Sequence, residues 1–399
     1  MKIAILSDFH LGYERFREDA YAQAERALNK AADVADALLI PGDIFDMRAP
    51  KPDVIAESIN LFRNLSARKW NAHVVDFIGE GKHFTKVPIV AIPGTHERRA
   101  QDAADPVDIL GLAGLLVDVS NATAVISLGN EKIAIRGIGG IADERFSEVV
   151  KNENPVPIGD AFNIFMFHES LYEMLPFNEQ FMRIDELPKG FDLYVCGHIH
   201  NSIAAEAHGK KLLIPGSTVL TQLKEGEQGK KGFWLFDTKT YSSEFISIDT
   251  REFIMKRLDL GSVTDQTSLV DSVKKLVDQA IERKDGVPIV RIVLEGKNMR
   301  GLDIGLELND IPRRYAGRAA VEISKLGAGL SEGSAKQDSQ VAFGNMSVKD
   351  YGMGVFLEKI RGAGVDIGNI GPAELLDTLG SEPNKEKAVK KALDRLISD

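Results

Sequence analysis

The chain has 399 residues, a formal net charge of −10 and 44% hydrophobic residues. This composition excludes an intrinsically disordered chain, a collagen and a coiled-coil rod, because each of these needs a strongly biased composition. It also excludes a nucleic-acid binder whose whole surface is cationic, although a local basic track is compatible with an acidic protein. At about 150 residues per domain, the length predicts two or three domains.

Cysteine content and the N-terminal sequence predict the compartment. Cys196 is the single cysteine, so no intramolecular disulfide can form, which fits a reducing environment. The first apolar run, Ile3–Leu6, is too short for a signal peptide, and no apolar stretch reaches the roughly 18 residues of a membrane span. We therefore expect a soluble cytoplasmic protein, nucleoid-associated in a prokaryote, with no membrane partner.

Short apolar runs and helical patterns alternate over the first 250 residues. This alternation predicts an α/β layered fold with parallel pairing, and the closely spaced later strands predict a mixed or second sheet. The predicted helices span 15–35 and 53–66. The predicted strands span 2–7, 37–41, 87–92, 132–137, 163–167, 192–196, 212–215, 232–236 and 243–247.

The remaining third of the chain has a different pattern. Residues 251–325 predict a small α+β module. Residues 326–346 are rich in glycine and serine and predict a flexible linker. Residues 347–399 carry two short amphipathic patterns, which either dock onto a partner or pack back onto their own chain. The predicted elements of the module are a helix at 265–284, strands at 287–294 and 318–325, and a short helix near 302–311.

Five of the predicted strands end in a cluster of aspartate or histidine. In open α/β sheets, ligands collect at the carboxyl ends of the strands. So many titratable groups at one edge would repel one another or carry a large desolvation cost unless cations bind them. The side chains concerned are Asp8, His10, Asp43, His96, His168, His198 and His200.

The residue types in this cluster indicate the metal and the reaction. Mixed carboxylate and imidazole ligands suit Mn²⁺, Fe²⁺ or Zn²⁺. There are more ligands than one tetrahedral zinc takes, and two ions about 3.5–4 Å apart, bridged by a carboxylate, would use them all. Such a pair activates water and stabilises charge on a phosphoryl group, which predicts hydrolysis of a phosphate ester. Each motif alone could be structural, but their shared place at strand ends favours a metal site.

The motifs resemble a known family. They are Asp8-x-His10, Gly42-Asp43, Gly94-Thr95-His96-Glu97, His168 and Gly197-His198-x-His200. Together they resemble the calcineurin-like metallophosphoesterase superfamily. The runs Ser7–Tyr13 and Gly42–Asp46 are similar to the meiotic-recombination-eleven / SbcD family of DNA double-strand-break repair nucleases. The resemblance covers residues 1–250 by motif and 251–399 by layout alone.

The resemblance implies a fold and a domain organisation. The fold is two packed mixed sheets flanked by helices, with a small α+β capping domain and C-terminal helices. Those helices would bind an SMC-like ABC ATPase. The implied segments are a nuclease domain (1–250), a capping domain (251–325), a linker (326–346) and a helical ATPase-binding segment (347–399).

The resemblance also implies roles for the site residues around two divalent metal ions, which we expect to be Mn²⁺. His96 would lie near the scissile phosphate and protonate or stabilise the leaving oxygen, which suits a side chain that titrates near neutral pH. Glu97 would hold His96 in orientation. The implied ligands are Asp8, His10 and His200 for the first ion, His168 and His198 for the second, and Asp43 for both.

Two positions depart from the family pattern. Thr95 stands where the superfamily usually has an asparagine ligand of the second ion, so this ligand is weaker or acts through water. Asp46 stands where some family members have a histidine, which disfavours a phosphate contact there and favours support of the metal ligands. Both departures put the rate and the metal preference in question, whereas the fold prediction is unaffected.

Several surface features have two interpretations. Arg48, Arg98 and Arg99 follow the metal motifs and are candidates for contacts with DNA phosphates, or they are ordinary solvated charges. The apolar patterns at 53–78 and 105–117 either complete the chain's own core or form the two-fold homodimer that the family implies.

Three functions follow from these features. The leading hypothesis is a Mn²⁺-dependent 3′-exonuclease and single-strand endonuclease that acts on double-stranded and single-stranded DNA. The second is a phosphatase or phosphodiesterase with a small substrate, which has no need of a capping module or tail helices. The third is a non-catalytic DNA-binding scaffold with a decayed metal site, which the retention of seven ligand-type residues opposes.

Overall fold

The computed structural model describes residues 1–79, 84–98, 104–175, 181–224, 227, 229–282, 286–296, 302 and 308–325. The helices are α1 (Arg17–Val34), α2 (Pro52–Ser66), α3 (Pro106–Leu112), α4 (Asp143–Glu153), α5 (Gln266–Ile281) and α6 (Ile311–Arg314). The first strands are β1 (Lys2–Ile5), β2 (Ala37–Pro41), β3 (His73–Ile78), β4 (Ile89–Ile92), β5 (Val117–Asp118), β6 (Thr123–Leu128), β7 (Glu131–Ile138) and β8 (Phe162–His168). The later strands are β9 (Leu193–Gly197), β10 (Ile203–Ala207), β11 (Lys210–Ile214), β12 (Gly232–Asp237), β13 (Ser242–Ser247), β14 (Phe253–Asp259), β15 (Ile289–Glu295) and β16 (Ala320–Lys325).

Two large mixed sheets form the first part of the chain. The first has the order β13-β12-β1-β2-β4-β5, with parallel pairing from β1 to β5 and antiparallel pairing of β12 with both its neighbours. The second has the order β10-β11-β9-β8-β7-β6-β3, with a parallel centre from β11 to β7. The predicted α/β fold of two mixed sheets flanked by helices is confirmed.

Alternation along the strands divides the buried residues between two layers. In β2, Leu38 and Ile40 pack with Leu28 of α1 and Phe62 of α2. Leu39 belongs to the buried layer that β2 shares with β7, β8 and β9 of the second sheet. Because successive side chains of a strand point to opposite faces, one strand contributes to both layers. The two sheets therefore stack face to face, with helices outside.

The structure corrects the predicted elements at several places. The helix predicted over 53–66 is α2, whereas the apolar pattern noted as far as residue 78 continues into the strand β3. The pattern predicted over 105–117 contains α3 and then the short strand β5. The strands β6, β10 and β14 and the helix α4 have no counterpart in the sequence prediction. Strand β10 reads IAAEA, and alanine and glutamate are poor strand formers, which hid it.

The residues cited for a dimer face are mostly buried within this chain. The helix α2 and the segment after it pack their apolar side chains against the first sheet and between the two sheets. The alternative interpretation, that they complete the chain's own core, explains their burial, and the homodimer stays a prediction. The buried side chains are Leu61, Phe62, Leu65, Trp70 and Val74.

A third, parallel sheet of three strands in the order β14-β15-β16 follows the second. The helix α5 covers it through Leu269, Val273 and Val277, which are fully buried. Residues 1–325 form one compact unit, so the domain boundary at 250 stays a prediction. The predicted linker, the C-terminal helices and most of the helix near 302–311 lie outside the described residues. In the part of the chain that is described, no helix is long and apolar enough to cross a membrane.

Candidate metal centre

Four of the predicted ligands have left-handed backbone conformations. The φ angles are 54° for Asp8, 48° for His10, 50° for Asp43 and 75° for His198. This conformation costs a residue with a side chain about 1–2 kcal/mol, and such strain persists where the surrounding structure enforces it, often at functional sites. The loops after β1 and β2 enforce it mutually, because Asp8 N donates to Gly42 O (3.2 Å) and His10 N donates to Asp43 O (3.1 Å).

Two glycines let the backbone close around His168. Gly42 has a φ of +93°, and a Cβ there would lie 2.3 Å from His168 Nδ1. A Cβ on Gly197 would lie 1.9 Å from the Pro41 carbonyl oxygen and 2.6 Å from the same ring nitrogen. Glycine is therefore required at both positions by the approach of the backbone to a buried imidazole.

The first ligand set consists of Asp8, His10 and His200, whose ligand atoms lie within 4.8 Å of one another. Both carboxylate oxygens of Asp8 are buried and have no hydrogen-bond partner among the described residues. Asp46 Oδ1 lies 3.1 Å from His10 Nδ1, so that nitrogen carries the proton and Nε2 keeps its electron pair. His10 Nε2 faces His200 Nε2 at 3.2 Å.

The second ligand set consists of Asp43, His168 and His198. His168 Nδ1 donates to the Pro41 carbonyl at 2.7 Å, which leaves Nε2 facing Asp43 Oδ2 at 3.3 Å. Burial opposes a charged imidazole, but the Asp43 carboxylate raises the pKa of His168 to about 10. Burial also raises the Asp43 pKa, yet His168 holds that pKa well below its usual range. Without a cation, the pair therefore holds a proton on His168 Nε2, and a metal ion would take the place of that proton.

Both sets fit divalent cations. Each directs electron pairs of carboxylate oxygen and imidazole nitrogen toward a common space, where a cation would satisfy the buried oxygens of Asp8 and separate the facing nitrogens. Burial, followed by the charge of His168, lowers the pKa of His198 and so favours the neutral, ligating form of this imidazole. Donors of this kind, without sulfur, suit Mn²⁺, Fe²⁺ or Zn²⁺.

His96 lies at the open side of the centre. Its side chain is 46% exposed, and its ring is 4.8 Å from the ring of His10. His96 Nδ1 donates to the Asp46 carbonyl oxygen at 2.8 Å, and His96 N donates to Asp43 Oδ1 at 3.0 Å. The Nε2 atom is therefore the nitrogen left to exchange a proton with a substrate.

Glu97 has a different role from the predicted one. It is fully buried, and its carboxylate accepts from the backbone amides of Phe45 (2.8 Å) and Gly94 (2.7 Å). Burial and the Asp43 charge raise its pKa well above the usual value. The prediction that Glu97 orients His96 is wrong, since Asp46 holds that ring. Glu97 instead joins the loops after β2 and β4.

The remaining predicted residues lie around the centre. Thr95 Oγ1 is 3.5 Å from His198 Nδ1, which places the threonine beside the second ligand set. The Arg48 side chain is exposed and Arg98 is half-buried. Arg99 lies outside the described residues. The DNA contacts of these arginines stay predictions.

The structure also reveals a buried lysine side chain beside the centre that sequence reasoning missed. Lys231 is 5% exposed, and its Nζ donates to His200 O (3.1 Å) and Ser217 Oγ (2.8 Å). Burial lowers its pKa, against the charges of Glu227 and Asp8. Nothing in the local sequence distinguishes Lys231 from the exposed lysine before it, so no signal could have found it.

Comparisons with known proteins identify the family of the chain. A family model described as calcineurin-like phosphoesterase matches residues 1–202. The DNA double-strand break repair protein Mre11 of Archaeoglobus fulgidus is 23% identical over 378 residues, covering 85% of this chain and 78% of the relative. The double-strand break repair protein MRE11 of Encephalitozoon cuniculi is 29% identical over 255 residues, covering 58% of this chain and 44% of the relative.

Among solved structures, TT1561 of Thermus thermophilus aligns with a TM-score of 0.37 at 17% identity, covering 62% of this chain and 99% of that one. The chain spans less than half the length of the Encephalitozoon relative and about three quarters of the Archaeoglobus one. The family model covers more than half of the chain, from the loop of Asp8 to that of His200. The chain therefore belongs to the calcineurin-like phosphoesterase family.

Proposed function

We propose that the chain is a metal-dependent DNA repair nuclease that hydrolyses phosphodiesters at a dinuclear centre. The observation that carries this proposal is the pair of ligand sets, in which buried carboxylate oxygens and imidazole nitrogens face one another. Asp8, His10 and His200 would hold the first ion, His168 and His198 the second, and Asp43 both. Thr95 would add a weak or water-mediated ligand to the second ion.

The residues of the chain complement the cations in the proposed reaction. When bound, the two ions supply a nucleophile at neutral pH and neutralise charge on the phosphoryl group. His96 donates Nδ1–H to the Asp46 carbonyl, so its Nε2 is the atom that would give a proton to the leaving oxygen. A group in this role contributes typically about 10²–10⁴-fold to the rate.

The names of the relatives support DNA as the proposed substrate. The relatives in Archaeoglobus fulgidus and Encephalitozoon cuniculi are named as double-strand break repair proteins. The exposed Arg48, two residues after Asp46, would contact the phosphate backbone, together with Arg98 and Arg99. The proposed activities are those of a 3′-exonuclease and a single-strand endonuclease, with Mn²⁺ as the metal. An SMC-like ABC ATPase bound through 347–399 and a second copy of the chain are the proposed partners.

Cleavage of end-labelled linear DNA in Mn²⁺, Mg²⁺ and EDTA tests this function, with a small chromogenic phosphodiester in parallel. We expect cleavage of DNA in Mn²⁺, none in EDTA, and a loss of about 10²–10⁴-fold in His96→Ala. His73→Ala is the matched control, because His73 is an exposed histidine of β3 and its removal leaves the centre intact.

The same assay separates the alternatives. Turnover of the small phosphodiester without DNA cleavage, in the presence of the ATPase as well as without it, would assign the site to a small substrate. Tight DNA binding with no hydrolysis of either substrate would assign the chain to the scaffold class.

A further inference from the structure

The loop of residues 217–223, between β11 and β12, contacts the first ligand set. Thr221 Oγ1 lies 2.7 Å from His200 Nδ1 and 3.4 Å from Glu227 Oε1. The Glu227 carboxylate also accepts from the backbone amides of Thr221 (3.2 Å) and Gln222 (2.8 Å). Both Glu227 oxygens accept backbone N–H groups, and Lys231 Nζ lies 3.9 Å from Oε1, so the Glu227 carboxylate is placed as an acceptor.

These contacts determine the tautomer of His200. Since the Glu227 carboxylate accepts, the Thr221 hydroxyl donates to it and uses its own oxygen to accept the proton of His200 Nδ1. The Nε2 atom of His200 is then unprotonated and faces His10 Nε2 at 3.2 Å and Asp8 Oδ1 at 3.7 Å. A ligating histidine is usually oriented in this way, by a hydrogen bond to its other nitrogen.

The third sheet holds the same loop from the other side. Arg291 of β15 donates from Nη1 to the Leu223 carbonyl oxygen at 2.8 Å. Leu223 is fully buried, packs with Ile289 of β15, and has a left-handed φ of 52°. A leucine in this conformation is strained by about 1–2 kcal/mol, so its neighbours must fix the bend of the loop.

Arg291 is itself fixed within the third sheet. Its Nε donates to Ser324 Oγ of β16 at 3.1 Å and lies 3.6 Å from Glu322 Oε1. On the opposite side of the loop, the Tyr13 hydroxyl donates to the Thr221 carbonyl oxygen at 2.7 Å. A continuous set of contacts therefore runs from β16 through Arg291 and the 217–223 loop to His200.

We propose that Thr221 is the positioning residue for His200 and that the third sheet sets its position through Arg291. This inference rests on the proposed metal centre. It makes the affinity of the first metal site depend on how the third sheet sits against the 217–223 loop.

Mn²⁺ binding to the full chain tests the proposal without any nuclease assay. The signal of free Mn²⁺ in electron paramagnetic resonance gives the two dissociation constants of the wild type and of each variant. In Thr221→Val we expect one constant to weaken about 10–100-fold, the usual effect of losing such a supporting bond, with the other unchanged. Thr221→Ser keeps the hydroxyl and restores wild-type binding. In a His200→Ala background, Thr221→Val has no further effect.

Two variants of the third sheet test the second half of the proposal. Arg291→Met weakens the same constant by a smaller factor. Arg257→Gln is the matched control, because Arg257 pairs with Glu295 on the same sheet, and should leave both constants unchanged. Circular dichroism shows that each variant is folded.

If folded Thr221→Val had the wild-type Mn²⁺ dissociation constants, the role of the hydroxyl would be overturned. The same would follow if Thr221→Val and Thr221→Ser weakened Mn²⁺ binding equally. Unchanged binding in Arg291→Met would overturn the coupling to the third sheet. If the wild type bound no Mn²⁺, the proposed metal centre itself would be contradicted. Failure of the proposed function is therefore distinguishable from failure of this inference.

Discussion

The two ligand sets differ in what orients their histidines. In the second set, the backbone carbonyl of Pro41 holds His168, and the glycines at 42 and 197 close around the ring. In the first set, side chains do this work, with Asp46 on His10 and Thr221 on His200. A backbone-held ligand keeps its place whatever the neighbouring side chains are. A ligand held by side chains can be tuned by substitution or by movement of other elements.

The largest effect is expected at Asp43, the carboxylate proposed to hold both ions. Asp43 Oδ2 lies 3.3 Å from His168 Nε2, and Asp43 Oδ1 accepts a hydrogen bond from the His96 backbone amide. Asp43→Asn keeps an acceptor for that amide but removes the charge, so affinity for both ions should fall by more than the roughly 10–100-fold typical of supporting residues. The Mn²⁺ titration measures this. Asp192→Asn, at a half-buried aspartate that accepts from Asn163 N, is the control, and loss of only one ion would argue against a shared carboxylate.

The backbone-held ligand His168 can be disturbed through the glycines around it. Gly42→Ala places a Cβ 2.3 Å from His168 Nδ1 at a φ of +93°. We expect a loss of about 2–4 kcal/mol in unfolding free energy, from the left-handed backbone and overpacking together, measured by urea denaturation in EDTA.

The control for this substitution is Gly209→Ala. Gly209 also has a left-handed φ (+73°), but no atom lies within 4 Å of its Cβ position. It should lose only the backbone contribution of about 1–2 kcal/mol. Equal losses in the two variants would show that the contact with His168 is not what requires Gly42.

The side-chain-held set should respond to a milder change. Asp46→Ala removes the acceptor of His10 Nδ1, and we expect one Mn²⁺ constant to weaken about 10–100-fold while the other is retained. Asp46→Asn keeps a carbonyl oxygen at this place and should lose less. If both constants weakened equally, the distinction between the two sets would be wrong.

The smallest effect is expected outside both sets. Arg48→Gln should weaken binding to all DNA sequences alike. The slope of the logarithm of the affinity against the logarithm of the salt concentration should become shallower by about one, as the loss of one phosphate contact predicts. Filter binding over a range of salt concentrations measures this. Arg68→Gln, which loses only a surface pair with Asp33, serves as the control. An unchanged slope in Arg48→Gln would show that this arginine does not contact a DNA phosphate.

The candidate ligands could be proposed from the sequence because each of them follows a short apolar run, and such runs identify strand ends. It could not predict that β1 and β2 belong to one sheet while β8 and β9 belong to another, since strand pairing depends on contacts distant in sequence. The ligands consequently meet across two stacked sheets rather than along one edge.

The supporting residues were harder to predict than the ligands. Glu97 was assigned to His96 because the two are adjacent in sequence, but its carboxylate binds the backbone amides of Phe45 and Gly94. Thr221 and Lys231 reach His200 from 21 and 31 residues away, with no motif around them. Contacts made by single residues across the fold leave no periodic signal, so only the structure reveals them.

The central claim is that two ligand sets hold two cations. An anomalous difference map, recorded at the manganese edge from crystals grown with Mn²⁺, tests it most directly. We expect two peaks about 3.5–4 Å apart, one beside Asp8, His10 and His200 and the other beside His168 and His198, with Asp43 at both. A single peak, or none at saturating Mn²⁺, would contradict the dinuclear centre.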